Sequence, residues 1–162
     1  MISLTAPVLI VRTPTRGPYR RILLTVDFSE VSSREIQTLK ERFPSREVQV
    51  LHVMDDRSLQ RLRELGLAET SLENQYRVNK DRLTQQLQRL VADSGMPSSD
   101  VSLFVESGSP RDVILERVKE WQPDLVVMGA SGRSRLSGLV RGRVAGRLIH
   151  ELHTDVLLAG HE

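Results

Sequence analysis

The 162 residues contain no cysteine. That excludes disulfides, thiolate catalysis and Cys-based zinc or iron–sulfur sites, and it fits a reducing, cytoplasmic setting. Aromatic residues make up only 4%, too few for the stacking platforms that hold single-stranded nucleic acid. No apolar run is long enough to span a bilayer. The apolar stretch Ala6 to Val11 has no basic residue before it and no small-residue cleavage pattern after it, so it does not read as a signal peptide. Lys and Arg number 23 against 21 Asp and Glu, a net charge of +2, which is too little for binding nucleic acid by bulk charge. Neither a membrane nor a nucleic acid is expected as a partner.

What is present describes one globular domain, with 39% hydrophobic and 27% charged residues in a length that supports a core without staples. Short β-branched and leucine runs alternate with helical patterns, which predicts an α/β fold: a single open, Rossmann-like parallel sheet with helices on both faces. The strand candidates are Arg20 to Val26, Glu47 to Met54, Val101 to Glu106, Asp124 to Gly129 and Asp155 to Ala159. Residues 1–19 read as an extension and linker with an additional β segment at Pro7 to Arg12, and residues 20–162 as the domain proper.

Ser32 and Glu35 have capping-box spacing, which predicts a helix starting there and ending before Pro44. Leu72, Tyr76, Leu83, Leu87 and Leu90 mark a long amphipathic helix stopping near Gly95 and Pro97, whereas Asp55 to Thr70 is less regular, with Gly66 as a break. Ser109 and Pro110 open a helix whose inner face carries Ile114, Val118 and Trp121, so Trp121 is expected in the core. Residues 142–152 form the last helix, with Val144, Leu148 and Leu152 on one face.

The sharpest signal lies between Asp124 and Arg143: a strand, then Gly129-Ala130-Ser131-Gly132, then nine residues, then Gly142 opening a helix. Glycines let backbone N–H groups approach phosphate oxygens, and the free amides and dipole of a helix N-terminus favour negative charge. Arg133, Arg135, Arg141, Arg143 and Arg147 lie here without an acidic residue among them. Positive charge at a helix N-terminus is disfavoured by about 0.3–1 kcal/mol unless an anion compensates. The alternative is that these arginines pair with carboxylates such as Asp27 or Glu30, or point to solvent. The loop is not a Walker A motif, a dinucleotide fingerprint or a nucleophile elbow. Ser131, Ser134 and Ser137 are weaker candidate donors than the glycines, and His52, His150, His153 and His161 lack metal-ligand spacing.

The run Val127-Met128-Gly129-Ala130-Ser131-Gly132, nine residues, Gly142, then Asp155-Val156-Leu157-Leu158, resembles the C-terminal half of the universal stress protein family. Arg21 to Ser29, the strand end Leu51-His52-Val53, and Gly108 ahead of a helix are similar to it too, so the resemblance covers roughly residues 20–160. It implies a five-stranded parallel sheet, commonly dimerised along its last strand, here Val156 to Ala159. The glycine motif marks the branch that binds ATP.

Carried over by resemblance, Asp27 lies near ribose or a phosphate-bound Mg2+ or Mn2+, Val53 meets adenine through its backbone, and Met128 and Gly129 flank base and ribose. Gly132, Gly142, Arg143 and Val144 take the positions that hold phosphates, with Arg133 beside them. Two residues depart from the family pattern. Arg143 stands where ATP-binding members have Ser or Thr; an arginine can grip a phosphate by paired donors or fill the γ-phosphate position, which leaves ATP, ADP and AMP open. Asp155 replaces the proline often found there, at the start of the dimer strand. The expected function is a stress-response regulator that binds adenine nucleotide and signals through dimer or partner contacts. The alternative is a nucleotide-independent dimeric module. Catalysis is expected to be at most slow ATP hydrolysis, since beside Asp27 no general base or nucleophile stands out. Pro7 to Arg12 looks like the family's last strand repeated ahead of the domain, as in the second half of a tandem protein, and is expected to pair across an interface.

Overall fold

The computed structural model describes residues 7–14, 17–43, 46–54, 57–66, 68–129 and 143–159. Its elements in chain order are β1 (Val8–Ile10), β2 (Arg21–Thr25), α1 (Glu30–Arg42), β3 (Glu47–Met54), α2 (Arg57–Glu64), α3 (Glu69–Ser94), β4 (Val101–Ser107), α4 (Pro110–Trp121), β5 (Leu125–Gly129), α5 (Arg143–Glu151) and β6 (Asp155–Ala159). One sheet runs β1-β6-β5-β2-β3-β4. The five strands read from the sequence are all parallel to one another, and β1 joins antiparallel to β6.

Period-two alternation sends successive side chains to opposite faces, so each strand feeds two cores. Ile22, Leu24, Val48, Val50, Leu125 and Val127 face α1 and α3, which return Ile36, Leu39, Leu87 and Val91. Leu23, Leu51, Val126, Met128, Val156 and Leu158 face α4 and α5, which return Ile114 and Leu148, with Leu152 just past the end of α5. Trp121 lies against this second core as expected, with the Arg21 guanidinium 6.0 Å from its ring. The long helix ends at Gly95, whose left-handed φ of 68° is a C-cap that costs glycine little. The irregular stretch after β3 contains α2, and Gly66 ends it at φ 80°.

Three expectations are corrected. The capping box is not formed: α1 starts at Glu30 with Ser29 as N-cap, Ser32 Oγ bonds Asp27, and Glu35 is buried at 2% exposure. The last strand is not an edge, because β1 pairs with it at Val8↔Leu158, Leu9↔Leu157 and Ile10↔Val156. The N-terminal β segment therefore pairs within its own chain rather than across an interface.

Asp155 explains the last two corrections. Its Oδ1 accepts hydrogen bonds from Arg12 N at 2.7 Å, Thr13 N at 3.0 Å and Thr13 Oγ1 at 3.2 Å, and its Oδ2 accepts from Tyr19 Oη at 2.6 Å. Burial alone would raise this carboxyl, but the bonds from Tyr19, Arg12 and Thr13 outweigh it and hold it below the usual range. Tyr19 is pushed up to about 12, by burial first and then by Asp155. The Arg12 guanidinium also donates to Ile149 O, 2.6 Å away in the last turn of α5, where positive charge suits the helix dipole.

Candidate functional site

From β2 the chain crosses to β3 by α1 on one face of the sheet, and from β5 it crosses to β6 by α5 on the other. The connections diverge between neighbouring strands β2 and β5, and open α/β sheets bind ligands at the carboxyl ends of strands at such a point. The register Thr25↔Leu51 carries Asp27 to the level of Val53, and Leu24↔Val127 carries Val26 to the level of Gly129. Asp27, Val53 and Gly129 thus share one rim on three adjacent strands.

The turn after β2 is tightly specified. Asp27 Oδ1 accepts from Ser29 N at 3.0 Å and from Ser32 Oγ at 3.1 Å, and Asp27 N donates to Ser32 Oγ at 3.3 Å. Among the described residues both bonds to the carboxylate fall on Oδ1, which leaves Oδ2 as an acceptor at a half-buried position. Phe28 holds a left-handed φ of 59°, costly for a bulky residue. Its ring rests 4.4 Å from the His52 ring, and His52 Nδ1–H donates to Val26 O at 2.9 Å, which fixes the tautomer because a carbonyl only accepts. Burial pulls the His52 pKa down against the opposing pulls of that bond and of Asp27, so His52 serves as a neutral brace between β2 and β3.

One turn along α1 from Ser32, Glu35 lies in the interior with Oε1 unpartnered among the described residues. Burial, with a smaller push from Asp27, raises its pKa to about 8, so it is largely protonated at neutral pH. Sequence reasoning missed this group by assigning it to a cap. The available signal was its place with Ser32, Ile36 and Leu39 on the inner stripe of α1.

Other predicted ligands are placed unevenly. Met128 is 4% exposed, its side chain in the α4–α5 core, so its backbone alone is offered to the rim. Val144 in the first turn of α5 is half-buried against the same core. Arg143 is the first residue of α5, with no acidic residue in that turn. Gly132, Arg133 and Gly142 lie outside the described residues, as do Ser131, Ser134, Arg135, Ser137 and Arg141. A separate cleft of about 310 Å³ opens between α2, α3 and the end of β4, lined by residues including Gln60, Leu72, Tyr76 and Ser107, and contains none of the predicted ligands.

No group of three or more His, Cys, Asp or Glu able to hold a metal occurs among the described residues. None of the described helices is long and apolar enough to cross a membrane.

The model of the universal stress protein family matches residues 18–160. The chain belongs to that family. Universal stress protein MJ0577 of Methanocaldococcus jannaschii is 26% identical over 153 residues, covering 86% of this chain and 94% of that protein. The structure of MJ0577 aligns with a TM-score of 0.68 at 24% identity, over 90% of this chain and 99% of the other. A universal stress protein from Archaeoglobus fulgidus aligns at 0.63 and 18% identity over 97% of this chain, but over only 50% of its own length. A family member crystallised in complex with cAMP aligns at 0.55 and 18% identity, over 88% and 98% of the two chains. Among them these structures share this chain's α/β fold.

Proposed function

We propose that this universal stress protein is a regulator that binds an adenine nucleotide at the carboxyl ends of β2, β3 and β5, with phosphates directed to the N-terminus of α5. The observation that carries the reading is the strand register that sets Asp27, Val53 and Gly129 on one rim at the point where the strand connections diverge, with α5 following β5 in the chain. The unused Oδ2 of Asp27 suits a ribose hydroxyl or a phosphate-bound Mg2+ or Mn2+. Val53 and Gly129 offer backbone to the base and ribose, and Gly132 and Gly142 carry the spacing of the phosphate loop. Arg133 and Arg143 supply countercharge. The cAMP complex of another family member supports an adenine nucleotide as the ligand class.

Calorimetry with ATP, ADP, AMP and cAMP, with and without magnesium, tests this on the wild type and on Arg143→Ser. Wild-type binding that weakens about tenfold or more in the variant makes Arg143 a phosphate ligand. Absence of binding by both proteins to every nucleotide refutes the reading. Binding only after Arg143 is replaced means that Arg143 closes the site, and the nucleotide-independent interaction module then becomes the better account.

A further inference from the structure

Asp27 is presented by a turn that α1 holds from behind. Ser32, 1% exposed, donates to Asp27 Oδ1 at 3.1 Å and accepts from Asp27 N at 3.3 Å, while Ser29 N donates to the same Oδ1 at 3.0 Å. Ser29, the N-cap of α1, makes no side-chain cap bond of its own, so the start of the helix is fastened through Asp27. Glu35 follows Ser32 by one turn on the same inner face, 2% exposed and with Oε1 unpartnered among the described residues. Its surroundings offer a negative charge nothing. α1 packs on α3 and β5. β5 carries no titratable residue, and the inner face of α3 carries Tyr76 as its one titratable group, with every charged residue of that helix exposed. From the strand ends come the neutral His52 and the like charge of Asp27. Arg21 of β2 lies on the other face of the sheet against Trp121, and Lys40, Glu41 and Arg42 are exposed in the last turn of α1.

We infer that Glu35 is a positioning residue for Asp27: uncharged, it lets the first turns of α1 seat the Asp27 carboxylate for its ligand, and charged, it unseats it. A carboxylate without a partner is costly in an apolar interior, so it draws in water or moves toward the surface. The part of α1 free to follow it is its start, because the helix begins at Glu30. Movement there displaces Ser32, and with it the donor and the acceptor that Ser32 offers Asp27. Phe28, held at φ 59°, makes the turn readier to relax once that hold is loosened. Burial, helped by Asp27, raises the Glu35 pKa to about 8, so the charge forms as pH rises through that value and ligand is lost on the alkaline side. By linkage, binding near that pH takes up a proton. The ligand here is the one of the nucleotide reading, on which this part rests; the seating of Asp27 stands apart from it.

Two measurements on the full chain test the two parts. The Ser29 amide, which donates to Asp27, reports the turn through its 1H–15N resonance with no nucleotide present. From about pH 6 to 9.5 it is expected to follow one titration in wild type and to stay still in Glu35→Gln and in Glu35→Leu, neither of which can ionise. Two variants are used so that one remains should the other fail to fold. ATP affinity, measured by calorimetry without magnesium, is expected to fall at least about fivefold between about pH 7.5 and 9.5 in wild type, and by less than about twofold in either variant. The phosphates of ATP are already ionised over that range, and magnesium is left out because a cation at Asp27 would itself favour the charged form of Glu35. A Ser29 resonance that stays still in wild type, or that moves equally in the variants, overturns the inference. So does an ATP affinity that stays level with pH in wild type, which is what a merely structural Glu35 would give. A Ser29 resonance that titrates only with Glu35 present, in a wild type that binds no ATP at any pH, upholds the seating of Asp27 and refutes the nucleotide reading instead.

Discussion

The two ends of the sheet use acidic residues in opposite ways. At the amino end, Asp124 and Asp155 each precede or begin a strand and take donors from distant segments, Asp155 on both oxygens and Asp124 on Oδ2. Asp124 Oδ2 takes the N–H groups of Arg20 and Arg21 at 2.9 Å each, and Asp155 takes Arg12, Thr13 and Tyr19. At the carboxyl end, Asp27 carries bonds on one oxygen, Phe28 is held in a left-handed conformation, and Glu35 is buried with Oε1 unpartnered among the described residues. The amino-end carboxylates tie distant segments together, whereas the bonds of Asp27 stay within its own turn, beside a left-handed Phe28 and an unpartnered buried acid. The amino end clamps strand starts, and the costly features gather at the carboxyl end, where the proposed site lies.

The largest effect that separates the two ends is expected from Glu35. Its folded pKa of about 8 lies above the ordinary 4.5, so the native state holds a proton that the unfolded state has released over that window. Stability is therefore fully present below about pH 4.5, falls as pH rises toward 8 and then levels, with an upper bound of about 5 kcal/mol on the loss. Urea unfolding at a series of pH values should show this decline. Glu35→Gln should flatten it, and a slope unchanged in that variant would assign the pH dependence to another group.

At the amino end the sign reverses. Asp155 is held below its ordinary pKa, so its contribution is present above about pH 4 and is lost on acidification through the folded value. Asp155→Ala leaves Arg12 N, Thr13 N and the Tyr19 hydroxyl without their acceptor, and should cost about 2–4 kcal/mol in denaturant unfolding at neutral pH. Nucleotide affinity should stay within about twofold. A large affinity loss would mean that the two ends are coupled through β6 and α5, and the division of labour would not hold.

Gly108 is a smaller test at the carboxyl end, where the chain turns from β4 into α4. Its φ is 139°, and a Cβ there would approach Val113 Cγ2 to 3.2 Å. Gly108→Ala should cost about 1–3 kcal/mol through backbone strain, read as a lowered urea midpoint.

How much of this was legible depended on whether a feature is local. The strands Glu47–Met54 and Asp155–Ala159 were readable to the residue because β-branched runs between turn residues have few alternatives. Gly95 was a readable stop because a left-handed cap asks for glycine. What sequence did not show were the long-range partners: Ser32 and Glu35 fit a local cap, yet Ser32 is drawn to Asp27 and Glu35 into the core. The partners of Asp155 lie more than 130 residues away, and no spacing rule connects them. Asp27, Val53 and Gly129 were legible as strand ends, whereas their meeting on one rim required the order β5-β2-β3.

The smallest expected change in stability is at Asp27, and for that reason it divides the two ends most cleanly. Asp27→Ala removes an acceptor from Ser29 N and Ser32 Oγ at a half-buried rim. Water can replace it there, while Asp27 N keeps its own bond to Ser32 Oγ. The loss in unfolding free energy should stay near 1 kcal/mol or below. If the carboxylate also meets ribose or a phosphate-bound metal through Oδ2, nucleotide affinity should fall at least tenfold, with most of the magnesium dependence lost along with it. Calorimetry and urea unfolding on the same preparation separate the outcomes. A loss of affinity without a loss of stability places Asp27 in the binding site. A loss of stability without a change in affinity makes it another clamp, like Asp124, and moves the site away from the β2 turn.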